Sequence, residues 1–133
     1  MQRIPSLFIQ EVEKKGRGVF TASPISVGDL IEICPLIVMP ESEAPHLDKT
    51  KLSEHYFLIE DEEKFVAIAL GYGQLYNHSK TPNADVELRA EDKQMLVRCV
   101  RSIEVGEEIT IDYLPLGEDK IKLWFSDEDS REG

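Results

Sequence analysis

Apolar and polar positions alternate in short runs along this chain, and turn residues separate the runs. Leu7 to Glu13 alternates as a strand does, and Lys14-Lys15-Gly16-Arg17-Gly18 then breaks the pattern with a glycine-rich turn. Val19-Phe20-Thr21 resumes as a strand, Pro24 to Asp29 reads as a turn, and Leu30 to Met39 is a strand stretch interrupted by Pro35. Pro40 to Thr50 is polar and proline-punctuated and predicts a loop, with Asp48 or Thr50 capping a short helix through about His55. Tyr56 to Glu60 and Lys64 to Leu70 predict a hairpin around Asp61-Glu62-Glu63. Ala84 to Arg89 and Met95 to Arg101 predict a second, around Ala90-Glu91-Asp92-Lys93. Gly71 to Asn83 between them has no clean period. Val105-Gly106-Glu107 is a turn, Glu108 to Tyr113 a last strand, Gly117 to Phe125 a short amphipathic helix, and Ser126 to Gly133 a frayed acidic tail. Many short strands with few helical turns predict a mainly β fold of several small sheets. No strand–helix–strand alternation surrounds the glycines, which excludes a dinucleotide-binding fold.

Composition narrows the function. The 133 residues fit one domain, and 41% hydrophobic with 31% charged residues suits a packed core. No apolar run approaches the roughly 18–20 residues that cross a bilayer, and the N-terminus lacks a secretory segment, so an intracellular protein is expected. Without a basic nuclear-import cluster, the expectation leans to the cytoplasm rather than the nucleus. The formal net charge of −11 carries no basic patch for nucleic acid and favours basic partners through its field. Cys34 and Cys99 form no Cys-x-x-Cys pair, so no metal site is expected and both read as core thiols.

Three stretches could carry chemistry. Gly16-Arg17-Gly18 lets backbone approach a ligand, although a plain hairpin turn also explains it. Gly71 to Asn83 crowds Asn, His, Ser and two tyrosines into one irregular segment, as binding loops do. A Ser79–His78 nucleophile pair is disfavoured: adjacent side chains in an extended stretch point apart, and no Gly-x-Ser-x-Gly elbow is present. In Glu108 to Tyr113, Glu108, Thr110 and Asp112 share one strand face while Ile109, Ile111 and Tyr113 share the other.

In this order the three stretches resemble the signature of the SET-domain family. Gly16-x-Gly18 is similar to its first cofactor motif, Asn77-His78-Ser79-x-x-Pro82-Asn83 to its central motif, and Glu108-Ile109-Thr110-Ile111-Asp112-Tyr113 to its last. The resemblance covers roughly residues 5 to 114. It implies small curved β-sheets joined by a pseudoknot, in which the last motif threads beside the central one, with a few short helices. The division expected is a SET domain over 1–116 and a C-terminal helix and acidic tail over 117–133. The activity implied is transfer of a methyl group from S-adenosyl-L-methionine to the ε-amine of a lysine in a basic protein or peptide, without nucleic acid or membrane. Lys15, Gly16, Arg17, Gly18, Asn77 and His78 would border the cofactor. Tyr113 would face both cofactor and reacting methyl as the catalytic residue, and Trp124 would cover the adenine. Tyr56, Tyr76 and Ile111 would line the substrate channel.

The chain departs from the family pattern in several places. Lys80 replaces the usual cysteine of the central motif, and no cysteine-rich segment follows Tyr113, so the zinc cluster that closes the lysine channel in many relatives is not expected. Gln74-Leu75 stands for an arginine-phenylalanine pair, and Glu32-Ile33-Cys34-Pro35 lacks a tyrosine common in relatives. A noncatalytic module that binds basic peptides is the alternative these changes raise, and a homodimer in which one tail closes the other site is a third reading.

Overall fold

The computed structural model describes residues 2–14, 16–60, 64–89 and 91–112. Among these residues, ten strands make two sheets, accompanied by one helix and two 3-10 turns. The larger contains β4 (Leu30–Pro40), β5 (Phe57–Glu60), β6 (Lys64–Ala69), β8 (Ala84–Arg89) and β9 (Gln94–Cys99), in the order β5-β6-β4-β9-β8, and β1 (Gln2–Arg3) pairs with β4. The smaller orders β2 (Leu7–Val12), β3 (Gly16–Thr21), β10 (Glu108–Ile111) and β7 (Asn77–His78) as β2-β3-β10-β7. The protein is mainly β, as its alternating pattern predicts.

β4 is the spine, because its 11 residues are long enough to pair with two strands in turn. Its first half pairs with β9 through Pro35↔Gln94, and its second half pairs with β6 from Leu36↔Ala69 onward. Pro35 therefore does not interrupt the strand, contrary to what the sequence suggests. It marks the change of partner, where a residue without an N–H costs least. Its carbonyl still accepts from Leu70 N at 2.9 Å.

Both predicted hairpins form, with Glu60↔Lys64 and Arg89↔Gln94 as their last pairs. The second ends at Cys99 rather than Arg101, since Val100 N and Arg101 N turn to the Asn83 carbonyl, at 2.9 and 3.3 Å. The first glycine turn is tighter than expected. Lys14 (φ 69°) and Gly16 (φ 84°) make the reversal, and β3 already begins at Gly16. Phe8 and Phe20 then stack across β2 and β3 with ring centroids 5.8 Å apart.

The 40–50 segment is not all loop. Glu41–Glu43 forms a 3-10 turn and Ala44–Leu47 a one-turn helix, α1, whose Pro45 sits in the first turn where no N–H is needed. Thr50 caps the next 3-10 turn, Lys51–Glu54, accepting from Leu52 N at 3.0 Å. The predicted helix over 117–125, the tail and the boundary at 116 lie outside the described residues.

The core joins both sheets. Val19, Ile31, Val97, Ile103, Ile109 and Ile111 have at most 1% of their surface exposed, and burial of each such side chain contributes about 2 kcal/mol. Ile109 and Ile111 thereby fix the inner face of β10. The half-buried Glu108, Thr110 and Asp112 are left on the other side.

Candidate active site

β10 lies between β3 and the segment 77–83. It pairs antiparallel with β3 (Glu108↔Phe20, Ile109↔Val19) and parallel with β7 (Thr110↔Asn77, Ile111↔His78). Ser79 N continues this ladder to Ile111 O at 2.9 Å. Asn83 then clamps the strand from the far end of the loop, with Nδ2 donating to Glu108 O at 2.8 Å and Oδ1 accepting from Thr110 N at 2.9 Å. Residues 77–83 thus hold the last strand at two points. The last and central motifs therefore pack side by side, as the resemblance implies.

The polar face of β10 meets the central motif position by position. Glu108 Oε2 accepts from Asn77 Nδ2 at 2.7 Å, Thr110 Oγ1 lies 3.4 Å from Asn83 N, and Asp112 Oδ1 lies 3.7 Å from His78 Nδ1. Asn77 Nδ2 also donates to Arg17 O at 3.2 Å. Both amide protons of Asn77 are therefore committed to acceptors, which fixes the orientation of the side chain.

Gly18 completes the junction. A Cβ added there would stand 2.5 Å from Glu108 Oε2 and 2.9 Å from Asn77 Nδ2. Gly16 differs: nothing stands within 4 Å of a Cβ there, and its requirement is the positive φ of the turn. The two glycines of the first motif are thus needed for different reasons, conformation at Gly16 and close approach at Gly18. Arg17 is exposed between them and joins the site through its carbonyl.

The remaining sequence candidates are placed as follows. His78 is buried and Ile111, its partner in register, is fully enclosed in the core. Ser79 Oγ accepts from Thr81 N at 3.0 Å, a local turn contact. Tyr76 is 1% exposed and donates its hydroxyl to Glu32 at 2.5 Å beneath β4. Burial first, then the Glu32 charge, pushes that hydroxyl's pKa far above the usual tyrosine range. Tyr56 stands at the start of β5 and donates to Asp48 at 2.9 Å, and burial and then that bond raise it to about 12. Lys15, Tyr113 and Trp124 lie outside the described residues.

Sequence reasoning missed three groups that organise the site. Glu32 is 1% exposed, and a carboxylate inside the apolar run Leu30-Ile31-Glu32-Ile33-Cys34 is the signal that could have found it. Gln74 closes the 69–74 turn by accepting from Ala69 N at 2.7 Å, and Arg101 holds Thr81 O at 2.7 Å. Neither has a signal in the sequence. A cavity of about 820 Å³ between residues 3–5 and 30–33 borders Glu32 but includes none of the predicted site residues. Cys34 and Cys99 are buried free thiols, both raised chiefly by burial, and no group of metal-ligating side chains occurs among the described residues.

The junction therefore offers a glycine-lined approach, an oriented amide, a half-buried carboxylate and several backbone carbonyls, all of them acceptors or neutral donors. That set suits a cationic ligand with polar appendages. Comparison with known proteins shows the family. A family model described as SET domain matches residues 16–114. A curated Schizosaccharomyces pombe protein, "Histone-lysine N-methyltransferase, H3 lysine-37 specific", is 33% identical over 125 residues, covering 93% of this chain and 80% of that protein. A solved Plasmodium falciparum structure described as a histone methyltransferase is 32% identical with a TM-score of 0.67, covering 85% of this chain and 95% of that one.

Proposed function

Because the chain belongs to the SET-domain family and is a protein-lysine methyltransferase, we propose that its methyl donor, S-adenosyl-L-methionine, lies against the junction of Gly18, Asn77 and Glu108. The observation that supports this most is the contact of all three motifs at one place: a Cβ at Gly18 would strike both Asn77 and Glu108. Family members use this donor, which supplies when bound a methyl group on a positively charged sulfur, open to in-line attack by an amine.

The residues fit such a group. Arg17 O, Glu108 and the Asn77 amide oxygen provide acceptors for an ammonium, and the backbone of His78 continues the polar wall. The missing Cβ at Gly18 lets Asn77 and Glu108 stand close against the strand, which gathers these acceptors at one place. Lys15, Gly16 and Trp124 are further candidates by the resemblance.

For the acceptor, a lysine amine must lose a proton before it can attack, since its ordinary pKa is about 10.4. An apolar or aromatic channel favours the neutral amine by desolvation, and the positive sulfur acts in the same direction. The proton leaves to solvent, and no dedicated base on this chain is needed. Tyr113, one residue beyond the described Asp112, is proposed to orient the amine and methyl through its hydroxyl. Its effect would come through position and fixed dipoles. Of the channel candidates, Tyr56 is proposed to contribute ring surface, its hydroxyl being engaged by Asp48; Ile111 and Tyr76 are enclosed in the core and line no open channel in this structure.

The substrate proposed is a lysine in a basic protein. The net charge of −11 supports a basic partner, and the fission-yeast relative's name supports histone among the candidates, in a role inside the cell. The test is incubation of the full chain with labelled S-adenosyl-L-methionine and a panel of basic proteins and cell lysate, read by mass spectrometry. Transfer to lysine is expected, with Tyr113→Phe reducing kcat by roughly 100-fold or more, the scale of losing one transition-state contact. Undiminished transfer in Tyr113→Phe contradicts its assigned role.

A further inference from the structure

We propose that Glu32 is a positioning residue for the reaction: from β4 it holds the turn 72–76 and thereby fixes where the Asn77 amide and the His78 backbone meet β10. The inference rests on the cofactor reading above and adds a residue which that reading does not use.

Glu32 lies between Ile31 and Ile33 with 1% of its surface exposed. A carboxylate in such a place is strongly unfavourable unless its oxygens are bonded, so its partners explain its presence. Oε1 accepts from the Tyr76 hydroxyl at 2.5 Å and Oε2 accepts from the Tyr72 backbone N–H at 2.9 Å. Both partners lie about forty residues further along the chain, in the segment that leads into Asn77.

Gly73 packs this segment closely against Ala69, Cys34 and Met95, and Tyr72 and Leu75 rest on the core. Its backbone makes turn bonds, Gly73 N to Leu70 O and Leu75 N to Tyr72 O, together with the Gln74 side-chain contact to Ala69 N. No strand ladder begins until Asn77. Adjacent side chains of an extended segment point to opposite sides. With Tyr76 drawn inward to Glu32, Asn77 is turned outward to Arg17 O and Glu108. Arg3 closes the outer side, its guanidinium 4.1 Å from the centre of the half-buried Tyr72 ring. The Cys34 thiol and the Tyr76 hydroxyl are both raised, after burial, by the Glu32 charge, so the carboxylate is felt across the whole cluster.

The experiment compares wild type with Tyr76→Phe and Glu32→Gln on three readouts: Tm, the calorimetric Kd and stoichiometry for S-adenosyl-L-methionine, and the NMR resonances of the Asn77 side-chain NH2 and His78 amide in the free protein. Val66→Ala, a core change at β6, serves as a control for stability loss alone. Tyr76→Phe is expected to shift the Asn77 and His78 resonances. It should weaken the cofactor roughly fivefold at unchanged stoichiometry, about the effect of one lost hydrogen bond. Val66→Ala should lower Tm and leave both unmoved. If Tyr76→Phe does not fold, Glu32→Gln decides: an amide has one acceptor oxygen, so it loses either the bond from the Tyr72 N–H or the charge-assisted bond from the Tyr76 hydroxyl, and the same shifts are expected. A lower Tm with unchanged resonances and Kd would mean a purely structural role and overturn the proposal. Wild-type protein that binds no cofactor, while the resonances still shift in the variants, would instead remove the cofactor reading and leave the coupling of Glu32 to Asn77 standing.

Discussion

Asn77 is the residue on which three chain segments depend. Its Nδ2 lies between a carboxylate and a carbonyl, so only an amide or a comparable donor fits. Asn77→Asp places a second carboxylate beside Glu108 and should lower stability by about 2 kcal/mol at neutral pH. Like charges this close disfavour ionisation of both. The loss is therefore largest above the ordinary carboxylate range and shrinks as pH falls through it, where one oxygen takes up a proton. Thermal unfolding of the variant between pH 4 and pH 8 checks this; a deficit independent of pH contradicts the contact with Glu108. At this scale the sequence is informative about which residues matter and less so about why. Asn77 and Glu108 are each picked out by a motif, but nothing in the sequence pairs the one side chain with the other. Gly16 and Gly18 look alike in sequence, and only the packing around Gly18 separates conformation from close approach. Glu32 was hidden because its partners lie in a segment without periodicity.

At the scale of elements, β10 is short and owes its place to what clasps it. Ile109 and Ile111 anchor one face in the core, and Asn83 bridges Glu108 O and Thr110 N on the other. Asn83→Ala removes both bonds and leaves a buried carbonyl and N–H to find other partners, a loss of about 2–3 kcal/mol. Hydrogen exchange should accelerate first at 108–111 and leave the β5–β6 hairpin protected; uniform acceleration would show that the clasp is not local. The hairpins were legible because alternation and turn residues act over a few neighbouring positions. The parallel pairing of β7 with β10 joins residues more than thirty apart; the family resemblance implies that the two motifs are neighbours, and local pattern carries no information on how they pair. The α1 turn was missed because a proline-rich polar stretch reads as loop, while Pro45 in a first helical turn is in fact well placed.

For the whole molecule, the buried cluster of Tyr76 and Cys34 and the more accessible Tyr56 set the alkaline limit of stability. All three are raised above their ordinary values of 10.0, 9.0 and 10.0, Tyr56 to about 12. Raised groups keep their protons in the folded chain after the unfolded chain has lost them. Their contribution is thus present in full below about pH 9 and declines as pH rises further. Each of the two deeply buried groups adds a slope of about 1.4 kcal/mol per pH unit once its unfolded value is passed. Urea unfolding between pH 8 and pH 11 should show this decline, shallower in Tyr76→Phe; an identical slope in that variant would contradict the burial of its hydroxyl. The net charge of −11 belongs to the same scale and is the observation that supports the proposed basic substrate.

That assembled junction is the central claim, and calorimetric titration of the full chain with S-adenosyl-L-methionine tests it most directly. The account predicts one site per chain, weakened roughly tenfold or more in Asn77→Ala and in Gly18→Ala, the effect of about 1.4 kcal/mol. Absence of binding to the wild-type chain, or equal binding by folded wild type and both variants, would contradict it.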